Sequence, residues 1–95
     1  MKINKVMELI ELALKVNSKN GKFEDRGEKG KPCVFIRYSP HVSKLDVDVY
    51  ENGFEGGIVH NYYLYCDGSR GKKDNEEYRK CKKHLLKLLE VTNES

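Results

Sequence analysis

Leu45-Asp46-Val47-Asp48-Val49-Tyr50 places Leu45, Val47 and Val49 on one side of the chain and Asp46, Asp48 and Tyr50 on the other. A period of two suits an extended strand with one buried face and fits no helix. The stretch before it alternates too: Val34, Ile36 and Tyr38 against Phe35 and Arg37, within Cys33 to Ser39. A third run, Ile58 to Cys66, sets Ile58, His60, Tyr62, Leu64 and Cys66 against Val59, Asn61, Tyr63 and Tyr65. Ser39-Pro40-His41 breaks the first run from the second, and Asn52-Gly53 with Gly56-Gly57 breaks the second from the third. Connections this short make the three strands an antiparallel meander.

A three-stranded meander has an apolar face that needs cover, and the flanking segments supply it. Ile3, Val6, Met7, Ile10 and Leu14 recur at helical spacing, widened by Leu9, Ala13 and Val16, which predicts a helix over Ile3 to Ser18 stopped by Asn20-Gly21. Lys22 to Pro32 is polar and Gly-rich and reads as an exposed loop. After the loop Asp67 to Lys73, Asp74 with Glu77 has the spacing of a capping box, and Tyr78, Cys81, Leu85 and Leu88 form the apolar stripe of a second helix with a frayed tail after Val91. The expected architecture is α+β in the order α-β-β-β-α, one domain over residues 1–95, with both helices on one sheet face. Phe35, Tyr50, Tyr63 and Tyr65 then stand on the open face among Arg37, Asp46 and Asp48, and both aspartates are expected to face solvent.

Ninety-five residues with 38% apolar and 35% charged side chains make a thin core inside a highly charged surface. No apolar run approaches a membrane span, and Glu8 and Glu11 interrupt the N-terminal apolar stretch, so the expected place is the cytoplasm. Three widely spaced cysteines agree with reduced thiols. The net charge of +3 is uneven: Arg70 to Lys87 holds eight basic residues against three acidic, while Cys33 to Gly68 holds two against five.

Three groups of residues carry possible chemistry. Cys81 and His84 lie three apart on the second helix, Cys66 ends the third strand, and zinc favours thiolate and imidazole in a tetrahedron. Cys33 or His60 is the candidate fourth ligand; the alternative is that the thiols are small core hydrophobes. The aromatic sheet face offers stacking platforms for bases or anchors for a protein, with Asp46 and Asp48 opposing phosphate. Arg79, Lys82 and Lys83, with Lys80 and Lys87, make a basic helix face suited to phosphate or to simple solvation. Ser39 and His41 are close in sequence but sit on a turn with no third group to orient them, and no glycine-rich phosphate loop joins a strand to a helix. Binding is therefore expected in place of catalysis.

The stretch Phe35-Ile36-Arg37-Tyr38-Ser39-Pro40-His41-Val42, followed by Leu45 to Tyr50 and preceded by the amphipathic helix Ile3 to Leu14, resembles small phage and prophage proteins of Gram-positive bacteria. The likeness covers about the first two-thirds of the chain. Some phage proteins of this size and Lys/Glu-rich style are anti-CRISPR inhibitors, including inhibitors of the type II-A effector Cas9. The resemblance implies a non-enzymatic inhibitor of a host defence protein, and the net basic charge departs from inhibitors that imitate DNA. Two other readings fit the residues: a small nucleic-acid-binding module that uses the basic helix, and a phage accessory or assembly protein that self-associates.

Overall fold

The computed structural model describes residues 3–19, 22–23, 31–53, 57 and 60–93. Helix α1 spans Ile3–Val16; strands follow at β1 (Ser18–Lys19), β2 (Lys22–Phe23), β3 (Cys33–Ser39), β4 (Lys44–Tyr50) and β5 (His60–Tyr65); helix α2 spans Lys72–Asn93. The three long strands form an antiparallel sheet of order β3-β4-β5, so the chain has the α-β-β-β-α order and α+β class that its periodicities predict.

The alternation decides which face is buried. Val34, Leu45, Val47, Val49, Tyr62 and Leu64 point inward and meet Val6, Leu9, Leu12, Ala13 and Val16 of α1 and Tyr78, Cys81, Leu85 and Leu88 of α2. Both helices therefore cover one face. They are also tied to each other: Lys82 pairs with Glu8 at 2.5 Å, and the Lys5 ammonium lies 5.3 Å from the Tyr78 ring centre.

Several boundaries differ from the sequence reading. Helix α1 stops at Val16, and Asn17 turns out of the helix to bond both backbone groups of Val34: its amide nitrogen donates to the carbonyl at 2.7 Å, and its oxygen accepts from the N–H at 2.8 Å. Ser18–Lys19 pairs with Lys22–Phe23, so a small hairpin stands where a helix end and a loop were expected. Asn-Gly between two strands is the favoured pair for a two-residue hairpin, and that reading competes with the helix stop; Asn20 and Gly21 themselves lie outside the described residues. Strand β5 begins at His60, with Ile58 and Val59 outside them as well. Helix α2 starts at Lys72 and continues past Val91 to Asn93.

The capping box is replaced by something else. Asp74 lies in the first turn of α2, buried, and its carboxylate accepts the Tyr65 N–H at 2.9 Å and the Arg70 N–H at 3.1 Å. Glu77 accepts the Tyr63 N–H at 3.3 Å. Both acids thus act on the outer backbone of β5, whose unpaired edge would otherwise be open to another strand.

Candidate binding face

The strand register assembles the open face row by row. Phe35, Asp48 and Asn61 lie side by side across the sheet; the next row is Arg37, Asp46 and Tyr63, and the next Ser39, Lys44 and Tyr65. Residues opposite one another in antiparallel strands share a face, so charged and aromatic side chains interleave here.

The tyrosines are fixed by cations. Lys44 places its ammonium 4.9 Å from the Tyr63 ring centre, and the Arg70 guanidinium lies 4.8 Å from Tyr63 and 5.1 Å from Tyr65. Arg70 is held in turn by Asp74, at 3.2 Å from its Nε. Phe35 packs at a tilt on Tyr50, their centres 5.2 Å apart. Tyr63 remains 38% exposed, so the clamped rings still present surface outward.

Asp46 and Asp48 do not stand in open solvent as expected. Asp46 is only 6% exposed, with Arg37 at 4.0 Å and Lys44 at 3.6 Å; Asp48 has Arg37 at 3.9 Å and also accepts from the Asn61 amide. The row spacing lets one arginine reach two carboxylates on the neighbouring strand. The face is a charge-compensated mosaic with aromatic rings, and its acids lie among the groups that a phosphate would have to approach.

The residues singled out as partner-binding divide between two surfaces. Phe35, Tyr50, Tyr63 and Tyr65 are on the open face. Arg79, Lys82 and Lys83 belong to α2, which covers the opposite face. There Tyr78, Arg79, Lys82, Lys83, Leu86 and Lys87 with Glu90 line a shallow groove of about 650 Å³. Lys82 is engaged with Glu8, which keeps the glutamate below the usual carboxylate range through its bonds to Lys82 and Tyr78.

The four candidate zinc ligands do not converge. Cys33 pairs with Tyr50 at one end of β4, whereas Cys66 follows Tyr65, which pairs with Lys44 at the other end. That separation is about 20 Å at the rise of a strand. His60 pairs with Val49 at the Cys33 end, so neither choice of fourth ligand reaches Cys66. His84 already uses both ring nitrogens: Nε2 lies 2.6 Å from Glu51 and Nδ1 2.8 Å from the Tyr62 hydroxyl. A carboxylate only accepts, so Nε2 carries a proton, and in the neutral ring Nδ1 then accepts from the Tyr62 hydroxyl. Burial raises the Cys66 thiol and pushes Cys81 up to about 12, as befits thiols that pack like small apolar side chains. Among the described residues no three His, Cys, Asp or Glu side chains are gathered to hold a metal. The residues as placed do not fit a zinc centre; Cys81 belongs to the core and Cys66 packs against it.

The contacts of Arg70 and Lys44 with the tyrosine rings, the Arg70–Asp74 pair and the chain Glu51–His84–Tyr62 escaped the sequence reading, because the fold brings these side chains together. Ser39 and His41 sit at the start of the turn from β3 to β4, with His41 exposed. No helix among the described residues is long and apolar enough to cross a membrane. Comparison with protein families, curated proteins and solved structures gave no match to this chain.

Proposed function

We propose that the chain is a non-catalytic binding protein whose open sheet face docks a partner protein, most concretely an inhibitor of a host defence protein such as Cas9. The observation that carries the binding reading is the clamped pair Tyr63 and Tyr65, held by Arg70 and Lys44 yet still presented outward. Tyr and Arg dominate interface hot spots because they bury much area at small entropic cost, and rings already fixed lose less freedom on binding. The acids beside them favour a protein over a nucleic acid. The resemblance of Phe35 to Tyr50 to phage proteins supplies the choice of target.

Guided DNA cleavage by a type II-A Cas9, with the protein added before or after guide loading, tests this directly. Dose-dependent inhibition is expected, lost on Tyr63→Ala; no inhibition at large molar excess removes Cas9 as the target.

A second reading rests on the groove of α2, where Arg79, Lys83 and Lys87 have no ion pair among the described residues. If that helix binds nucleic acid, affinity falls steeply with salt, by about one power of the salt concentration for each phosphate contact. Protein docking on the sheet face is far less sensitive to salt.

A further inference from the structure

The two edges of the sheet are treated differently. At β5, Glu77 and Asp74 of α2 occupy the outward N–H groups of Tyr63 and Tyr65. Helix α2 therefore leans over that edge, while α1 packs over β3. At β3, Asn17 takes both backbone groups of Val34, which shows that Val34 faces away from β4. Antiparallel ladders alternate, so the N–H and C=O of Ile36 and Tyr38 face outward as well. Among the described residues nothing bonds to them. The free stretch ends at Pro40, which has no N–H to give.

Beside this edge lies an uncovered apolar stripe. Ile3, Met7 and Leu14 are spaced as one line along α1 and are large exposed hydrophobics, Ile3 at 80% and Met7 at 58%. Lys5 and Glu8, on the other flank, face α2, so the stripe lies on the flank away from α2, above β3. Tyr38 is 54% exposed at the same edge, and Val42 follows in the turn. Apolar surface of this extent beside an open strand is a mark of an interface.

We infer that a second copy of the chain docks here, β3 against β3 in antiparallel register about Arg37, to make one six-stranded sheet with the two α1 stripes packed across the twofold axis. The free backbone segment is symmetric about Arg37. Pairing Ile36 of each copy with Tyr38 of the other satisfies all four open groups on both chains and leaves Val34 to Asn17. The inner face gains two tyrosine–isoleucine pairs, a favoured aromatic–β-branched combination. On the open face the two arginines lie opposite each other, and each chain's own Asp46 and Asp48 offset that like-charge contact. An unrelated extended peptide would fill the strand edge but leave the stripe bare; a second copy brings a matching stripe of its own. A closed twofold contact also uses up the edge.

The test is sedimentation equilibrium of the full chain with amide hydrogen exchange over a range of protein concentration. A dimer is expected, with the Ile36 and Tyr38 amides exchanging more slowly as concentration rises. Met7→Lys raises the dissociation constant at least about tenfold, the effect of losing one buried side chain of that size. Its far-ultraviolet circular dichroism stays unchanged because the site is exposed in one chain. A monomer at every concentration overturns the inference, and so does a dimer indifferent to Met7→Lys or one whose Ile36 and Tyr38 amides exchange at a rate independent of concentration.

Discussion

Asn17 shows how one side chain substitutes for a strand. Its amide has the donor and acceptor of a peptide group and meets Val34 as a neighbouring strand would, with both bonds under 2.9 Å. Asn17→Ala leaves a buried N–H and C=O without partners, and unfolding by urea should find it less stable by about 2 kcal/mol. Cys81 gives a residue-scale prediction about pH. Its thiol is fully buried and pushed up to about 12 by that burial and by Glu77, against 9.0 in an open chain. Above pH 9 the unfolded chain releases this proton while the folded chain keeps it, so stability is full below that point. It is lost as pH rises toward 12, by at most about 1.4 kcal/mol per pH unit. Burial also raises Tyr62 and Tyr78, whose losses join in the same direction. Cys81→Ala should be weaker at pH 7, by about 1 kcal/mol for the lost packing, yet fall less steeply between pH 9 and 11. Equal slopes for the two proteins would contradict this.

At the scale of elements, the alternation of Leu45 to Tyr50 was enough to choose the face of the sheet, because an apolar side chain every second residue leaves one register that buries them all. The stripes of the two helices were equally legible, being set by spacing within one segment. What escaped were bonds between segments: Asp74 and Glu77 have the spacing of a local cap, and only the fold brings the outer edge of β5 within their reach. The placing of the candidate zinc ligands was hidden for the same reason, since Cys33 and Cys66 are ends of strands whose register puts them at opposite ends of the sheet. On the binding face the rings were legible and their clamps were not, because Arg70 and Lys44 reach Tyr63 from a loop and from another strand. Asp74 is the element-scale test. Asp74→Ala removes three hydrogen bonds, including the one to Arg70 Nε, and should cost about 3 kcal/mol. It should also speed exchange of the Tyr65 amide beyond what global destabilisation explains.

The whole molecule separates its surfaces. One sheet face is given to the core, one is left as a mosaic of clamped tyrosines and paired charges, and the exposed side of α2 carries Arg79, Lys83 and Lys87, which have no ion pair among the described residues. The open β3 edge with the α1 stripe stands apart from all three and is free to join copies while the mosaic faces outward. Binding of a Cas9 effector by the wild-type chain, by Tyr63→Ala with Tyr65→Ala, and by Arg79→Ala with Lys83→Ala separates these surfaces most directly. With the sheet face as the docking surface, the tyrosine pair should lose affinity by a hundredfold or more, on the order of two hot-spot side chains. The helix pair should stay within about threefold of wild type, as rim charges do. The reverse pattern, with the helix variant crippled and the tyrosine variant unaffected, would contradict the assignment of the sheet face.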